Sequence, residues 1–300
     1  MEKSTLSLAG VFPPIPTPFE SSGEIAYQAL VENLERWNQY GLAGYVVLGS
    51  NGEGVYLADN ERVQVWEAAR QAIPPDKVML AGTGCESTRQ TIDLTRRAAA
   101  AGADAALVVT PHYYNPKMTP ECLVQHYEAV ADVSPIPILV YNVPKFTHVN
   151  VSAATAARLS QHPNIVGAKD TSGDISQLAD TVRLATPGFQ LLAGSASFFF
   201  AGLSLGAVGG ILALSVIAPT KAIEIYQLFS EGRWAEAAEL QRCMLPVNSA
   251  VTSRFGIAGL KAALDMLGYY GGPVRPPLLD IDQDERGNLR DILVEGGILQ

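Results

Sequence analysis

Eight short runs rich in Val, Ile and Leu recur along the chain, each followed by an amphipathic stretch. They are Val11–Thr17, Gly44–Leu48, Val78–Gly82, Ala105–Thr110, Ile138–Asn142, Ile165–Lys169, Phe189–Ala193 and Val208–Ala213. Runs that are apolar throughout, rather than alternating, predict parallel strands covered on both faces. The intervening stretches Ala26–Tyr40, Asn60–Ala72, Ser87–Ala101, Thr119–Ala131 and Ser152–Gln161 read as helices. Eight strands with eight crossovers predict a (β/α)8 TIM barrel, whose usual size is about 250 residues. Beyond the last strand, Trp234–Val247, Gly256–Leu267 and Asp282–Val294 predict three more helices, punctuated by Pro246, Gly256, Gly271, Gly272 and Pro276. The expected organisation is a catalytic barrel over residues 1–230 and a C-terminal helical extension over 231–300 packed on it. A doubly wound sheet is the rival architecture. It would carry a glycine fingerprint after its first strand, whereas the stretch from Gly82 to Ser87 follows the third and lacks the third glycine. Neither a dinucleotide site nor a phosphate loop is expected.

Composition narrows the function. The 300 residues are 48% hydrophobic and 17% charged, against a usual charged share of roughly 25%. That balance excludes disorder and implies more buried surface than one monomer needs. A formal charge of -9 disfavours nucleic-acid binding. Cys85, Cys122 and Cys243 lie far apart and fit neither a disulfide framework nor a metal cluster. His112, His126, His148 and His162 show no metal-ligand spacing, so no metal is expected. MEKSTLSLAG reads as neither a secretion signal nor an arginine-rich presequence, and the apolar window Phe198–Ile217 is broken by glycines. A cytoplasmic protein without membrane contact is expected.

Catalytic groups of a barrel sit at the C-terminal ends of its strands. Of seven lysines, Lys77 precedes its strand, Lys117 and Lys145 lie within loops, and Lys3, Lys221 and Lys261 fall in the N-terminal tail or in helices, where solvated surface is expected. Lys169 alone ends an apolar strand. Removing water from an amine lowers its pKa and frees the lone pair for attack on a carbonyl. A structural ion pair with Asp170 is the other reading the position allows. Tyr141 ends the preceding strand, where its phenol can exchange protons with such an amine; a buried tyrosine bonded to backbone is the alternative. Leu48–Gly54 follows the second strand. Its glycines, Gly49 among them, let N–H groups converge on an anion, and Ser50 and Asn51 add donors. The loop after the fourth strand carries Tyr113 and Tyr114, placed for a subunit contact, a proton relay or core packing.

GSNGE after strand two, VTPHYYN after strand four, YNVP after strand five and GAKD at strand six together resemble the dihydrodipicolinate synthase and N-acetylneuraminate lyase superfamily of Schiff-base barrel enzymes acting on pyruvate. Within it, AGTGCEST, SQHPNIVGAKD, LGAVGG, RFGIAGLK and GYYGGPVRPPL look most like the 4-hydroxy-2-oxoglutarate aldolases. The likeness covers essentially the whole chain. It implies Lys169 as Schiff-base lysine and Tyr141 as catalytic tyrosine. Gly49, Ser50 and Asn51 would bind the pyruvyl carboxylate. Tyr113 would reach into a neighbouring subunit's site and complete a relay through Ser50. It further implies cleavage of 4-hydroxy-2-oxoglutarate to pyruvate and glyoxylate, no cofactor, and a homotetramer built as a dimer of dimers. The alternatives within the superfamily are 4-hydroxy-tetrahydrodipicolinate synthase and a 2-oxo-3-deoxy sugar acid aldolase, the latter needing hydroxyl-binding groups near Thr171 and Ser195. A silent 2-oxo acid sensor is the alternative outside catalysis. One departure bears on the choice. Synthases that condense aspartate semialdehyde usually carry an arginine two residues after the proline of YNVP, and here that residue is Phe146. A phenyl ring cannot make the bidentate carboxylate contact of a guanidinium.

Overall fold

The computed structural model describes residues 6–300. Lys3 therefore lies outside the described residues. Eight parallel strands form one sheet: β1 Gly10–Phe12, β2 Gly44–Val47, β3 Val78–Gly82, β4 Ala105–Val109, β5 Ile138–Asn142, β6 Ile165–Asp170, β7 Gln190–Ala193 and β8 Gly209–Ile211. The order β1-β8-β7-β6-β5-β4-β3-β2 leaves one seam, between β1 and β2. Backbone bonds from Ala43 N to Val11 O (3.1 Å), Val46 N to Pro13 O (3.0 Å) and Ile15 N to Val46 O (3.0 Å) cross it and close the barrel. The expected (β/α)8 barrel is the observed fold.

The helices are α1 Tyr27–Trp37, α2 Asp59–Ala72, α3 Thr88–Ala100, α4 Pro120–Val133, α5 Pro144–Thr147, α6 Ala153–Leu159 and α7 Ile175–Leu184. Then follow α8 Phe199–Ser204, α9 Leu214–Ile217, α10 Pro219–Ser230, α11 Trp234–Ser249, α12 Gly256–Met266 and α13 Gln283–Glu295. Several begin on a side-chain cap that accepts from an otherwise unpaired N–H. Ser87 caps α3, Thr119 caps α4 with Pro120 at the first position, Ser152 caps α6 and Asp174 caps α7. These caps fix where each loop ends and the outer wall begins.

Inside the barrel, Phe12, Val46, Leu80, Leu107, Leu139 and Leu192 pack with Tyr141 into a closed core. Between strands and helices a larger core runs continuously from Val11 to Leu293, so α11, α12 and α13 share the apolar interior of the barrel. The helix α12 is buried from Gly259 through Leu264, and this buried stretch includes Lys261. The expectation of a solvated Lys261 is therefore wrong. α12 lies between α9 and α13, so a position in its middle meets protein where a surface helix would meet water.

Candidate active site

The mouth at the C-terminal strand ends is built from β2, β5 and β6. Tyr141 and Lys169 are direct register partners on β5 and β6. Both are 4% exposed, and Lys169 Nζ lies 4.1 Å from the centroid of the Tyr141 ring. The Tyr141 hydroxyl meets Ser50 Oγ at 3.0 Å. An amine, a phenol and a hydroxyl are thus brought together, the first two from neighbouring strands and the third from the turn that follows β2. The hydrogen bond between phenol and hydroxyl lets a proton taken up at Tyr141 move on to Ser50.

The ion pair that Asp170 offered as the alternative for Lys169 is not formed among the described residues. Successive side chains of a strand point to opposite faces, and the Asp170 carboxylate is turned outward. Its Oδ2 accepts from Asn142 Nδ2 and Gln177 Nε2, both at 2.9 Å, and its Oδ1 from Ser172 N at 2.7 Å. Tyr141 is likewise not tied to backbone, since its hydroxyl partner is Ser50.

Ser50 and Asn51 lie on a tight turn, Ser50–Gly52, entered through Gly49. Two residues with left-handed backbone flank it, Leu48 at φ 59° and Glu53 at φ 52°. Side chains other than glycine adopt this region at a cost, so the surroundings must impose it. A methyl group on Gly82 would lie 2.0 Å from the Leu48 carbonyl oxygen, and one on Gly54 would lie 2.9 Å from it. The turn is held against β3 by that close approach. Asn51 Nδ2 is buried and has no acceptor among the described residues. A buried donor without a partner is costly, and a carboxylate oxygen placed there would satisfy it.

The remaining predicted residues are not drawn into this row. Thr171 turns its hydroxyl to Asn142 O at 2.8 Å. Ser195 accepts from Ser197 N and donates to Ser197 Oγ, capping the turn after β7. Tyr113 is 76% exposed and packs edge-on against Tyr114, ring centroids 5.0 Å apart. Glu86 holds that loop: its Oε2 accepts from His112 N and Tyr113 N at 2.9 and 2.8 Å, and its Oε1 contacts His112 Nδ1 at 2.8 Å. Phe146 and Lys145 sit exposed on α5 at the rim. No group of three or more His, Cys, Asp or Glu among the described residues is arranged to hold a metal. Nor is any described helix long and apolar enough to cross a membrane.

Sequence reasoning missed Glu53, although it closes the GSNGE motif. The residue is 2% exposed and its carboxylate faces Lys261.

An eight-stranded parallel barrel with a buried lysine and tyrosine side by side at its C-terminal mouth has the architecture of the TIM-barrel enzymes, whose chemistry sits at strand ends. Residues 7–295 match the model of the dihydrodipicolinate synthetase family, and the chain belongs to that family, whose members are lyases of the aldolase type. It is 37% identical to the 4-hydroxy-tetrahydrodipicolinate synthase of Methanothrix thermoacetophila, over 95% of this chain and 96% of that one. It is 34% identical to an uncharacterized DapA-like lyase of Halobacterium salinarum, covering 98% and 96%. Among solved structures, the dihydrodipicolinate synthase of Acinetobacter baumannii complexed with pyruvate superimposes with a TM-score of 0.93 at 31% identity, over 98% of this chain and all of that one. That of Thermotoga maritima gives 0.92 at 32% identity, over 97% and 99%.

Proposed function

We propose that the protein is a class I lyase that holds pyruvate as an iminium on Lys169, and that its reaction is the reversible cleavage of 4-hydroxy-2-oxoglutarate to pyruvate and glyoxylate. The observation that carries the Schiff-base reading is the row Lys169, Tyr141, Ser50, with its 3.0 Å contact between phenol and hydroxyl. The neutral amine attacks the 2-oxo carbon, and loss of water gives the iminium. Ser50, the unpartnered Asn51 amide and the Gly49 turn receive the adjacent carboxylate. The bond between carbons 3 and 4 then breaks, its electron pair moving into the iminium to give the enamine. Tyr141 takes the 4-hydroxyl proton and passes it to Ser50, and Tyr113 of a neighbouring subunit extends the relay. Glyoxylate leaves, carbon 3 is protonated, and water releases pyruvate and restores Lys169. The iminium is the electron sink, so this route calls for neither a metal nor an organic cofactor. A homotetramer assembled from dimers suits a relay residue as exposed as Tyr113.

The relatives' names support a second reading more strongly: condensation of pyruvate with a semialdehyde, as in 4-hydroxy-tetrahydrodipicolinate synthase. What supports cleavage is this chain's own rim, where Phe146 stands at the arginine position and is 58% exposed, with Lys145 also facing solvent. Neither offers an inward-facing cation for a distal carboxylate.

The experiment is to supply 4-hydroxy-2-oxoglutarate and measure pyruvate and glyoxylate, with Lys169→Ala as control and pyruvate plus aspartate semialdehyde in parallel. Release by the parent alone is the expected result. Turnover only of the semialdehyde would transfer the assignment to the synthase. If the parent fails in both assays and borohydride traps no pyruvate on Lys169, the lyase reading falls and a 2-oxo acid sensor replaces it.

A further inference from the structure

Glu53 occupies an improbable place for a carboxylate. It follows the Ser50–Gly52 turn directly, has left-handed backbone and is buried. Its Oε1 makes a charge contact with Lys261 Nζ at 2.6 Å, and its Oε2 accepts from Arg275 N at 2.8 Å. Lys261 donates onward to Pro273 O at 2.7 Å. Lys261 and Arg275 also lie over the buried Phe19 ring, 4.3 and 4.6 Å from its centroid. Arg275 forks onto Glu61 of α2 through contacts of 2.6 and 2.8 Å. On the loop side, Thr17 Oγ1 donates to Gly52 O at 2.6 Å. Every strong contact of Glu53's carboxylate therefore leads to α12 or to the segment after it, while its backbone continues into the residues that face Tyr141.

A buried ion pair adds little stability over a well-packed apolar pair, and its better attested use is to fix one arrangement among several. The arrangement fixed here is the turn. With its carboxylate held from behind, Glu53 can rotate neither out of the left-handed region nor toward solvent, so the turn that places Ser50 against Tyr141 and buries the Asn51 amide keeps its shape. We propose that the Glu53–Lys261 pair is a positioning device, through which the C-terminal helices set the affinity of the Ser50–Asn51 turn for the carboxylate of a 2-oxo acid. This rests on the Schiff-base reading above. Neither residue touches substrate; both act through Ser50 and Asn51.

The test uses borohydride trapping of pyruvate on Lys169, read by intact mass, together with thermal melting. In Lys261→Met the half-saturating pyruvate concentration is expected to rise about 10- to 100-fold, while the trapping rate at saturation changes far less. The double variant Glu53→Gln/Lys261→Met buries no unpaired charge. It is expected to melt higher than Lys261→Met yet keep the weakened half-saturation. Wild-type half-saturation in the folded double variant would overturn the proposal and leave the pair a staple of the fold. Should Lys261→Met not fold, Lys261→Arg keeps the cation and pushes the carboxylate with a longer head. Unchanged half-saturation there would equally overturn it. A parent that traps no pyruvate would instead remove the Schiff-base reading itself.

Discussion

Asn142 donates to Asp170 across 2.9 Å one residue beyond Tyr141 and Lys169, on the opposite side of the same two strands. The inward pair carries the reactive groups and the outward pair ties the strand ends together. Asn142 also donates to Asn150 at 2.8 Å and accepts from Val151 N at 2.9 Å, so the loops after β5 and β6 hang from one knot.

Asp170→Ala leaves the donors of Asn142, Gln177 and Ser172 without their acceptor in a buried site. The expected loss is about 3 kcal/mol of unfolding free energy, measured by urea denaturation. Loss of reactivity toward pyruvate should accompany it, because Lys169 shares the strand end.

Tyr141 and Ser50 should act as one unit. Tyr141→Phe is expected to lower kcat by about 10²- to 10⁴-fold. Adding Ser50→Ala should then cost far less than Ser50→Ala costs in the parent, since the phenol it serves is gone. Full additivity in the double-mutant cycle would show that the two do not share a proton path.

Tyr113 projects from its own subunit, which predicts complementation. Lys169→Ala and Tyr113→Ala proteins, each inactive alone, should regain about a quarter of parental activity when denatured and refolded together, since half the dimers are mixed and each holds one complete site. No recovery would confine Tyr113 to its own subunit.

His126 gives a pH signature. Burial beside Tyr127 pushes its pKa down to about 4. Its Nδ1 meets the Thr88 hydroxyl at 2.9 Å, and its buried Nε2 has no partner among the described residues. The unfolded chain binds this proton at about 6.5 while the folded chain refuses it, so the contribution is intact above that pH. It is lost as pH falls toward 4, amounting to about 3 kcal/mol. Urea midpoints from pH 7.5 to 4.5 should fall more steeply for the parent than for His126→Gln.

Phe146→Arg restores a guanidinium to the rim. If a distal carboxylate is what distinguishes the two acceptors, kcat/KM for aspartate semialdehyde should rise about tenfold, with pyruvate trapping unchanged. An unaltered ratio would remove Phe146 as the selector.

The barrel was legible because its strands are apolar throughout. β3 and β5 fall on their predicted spans, and Tyr141, Lys169 and the Gly49-Ser50-Asn51 turn lie at or just beyond the C-terminal ends of β5, β6 and β2, where the strand pattern locates them. The hydroxyls of Thr171 and Ser195 illustrate its limit: position was readable, but direction depends on local backbone partners that only folding supplies. Lys261 was misread for another reason. Helical lysines are ordinarily solvated, and burial of the middle of α12 follows from the packing of α9 and α13 around it. The signal available was a lone charge inside Gly-Ile-Ala-Gly-Leu-Lys-Ala-Ala-Leu, a run with no other polar side chain to keep it company.

The carbonyl of Leu48 faces Gly82 and Gly54 so closely that neither position has room for a side chain. Mutation at those two sites meets a steric wall, whereas the turn they brace exposes Ser50 at its tip. The loop is thereby stiff where it is braced and free where it is exposed: a side chain at either glycine would have to displace the Leu48 carbonyl, while Ser50 has open space in front of it.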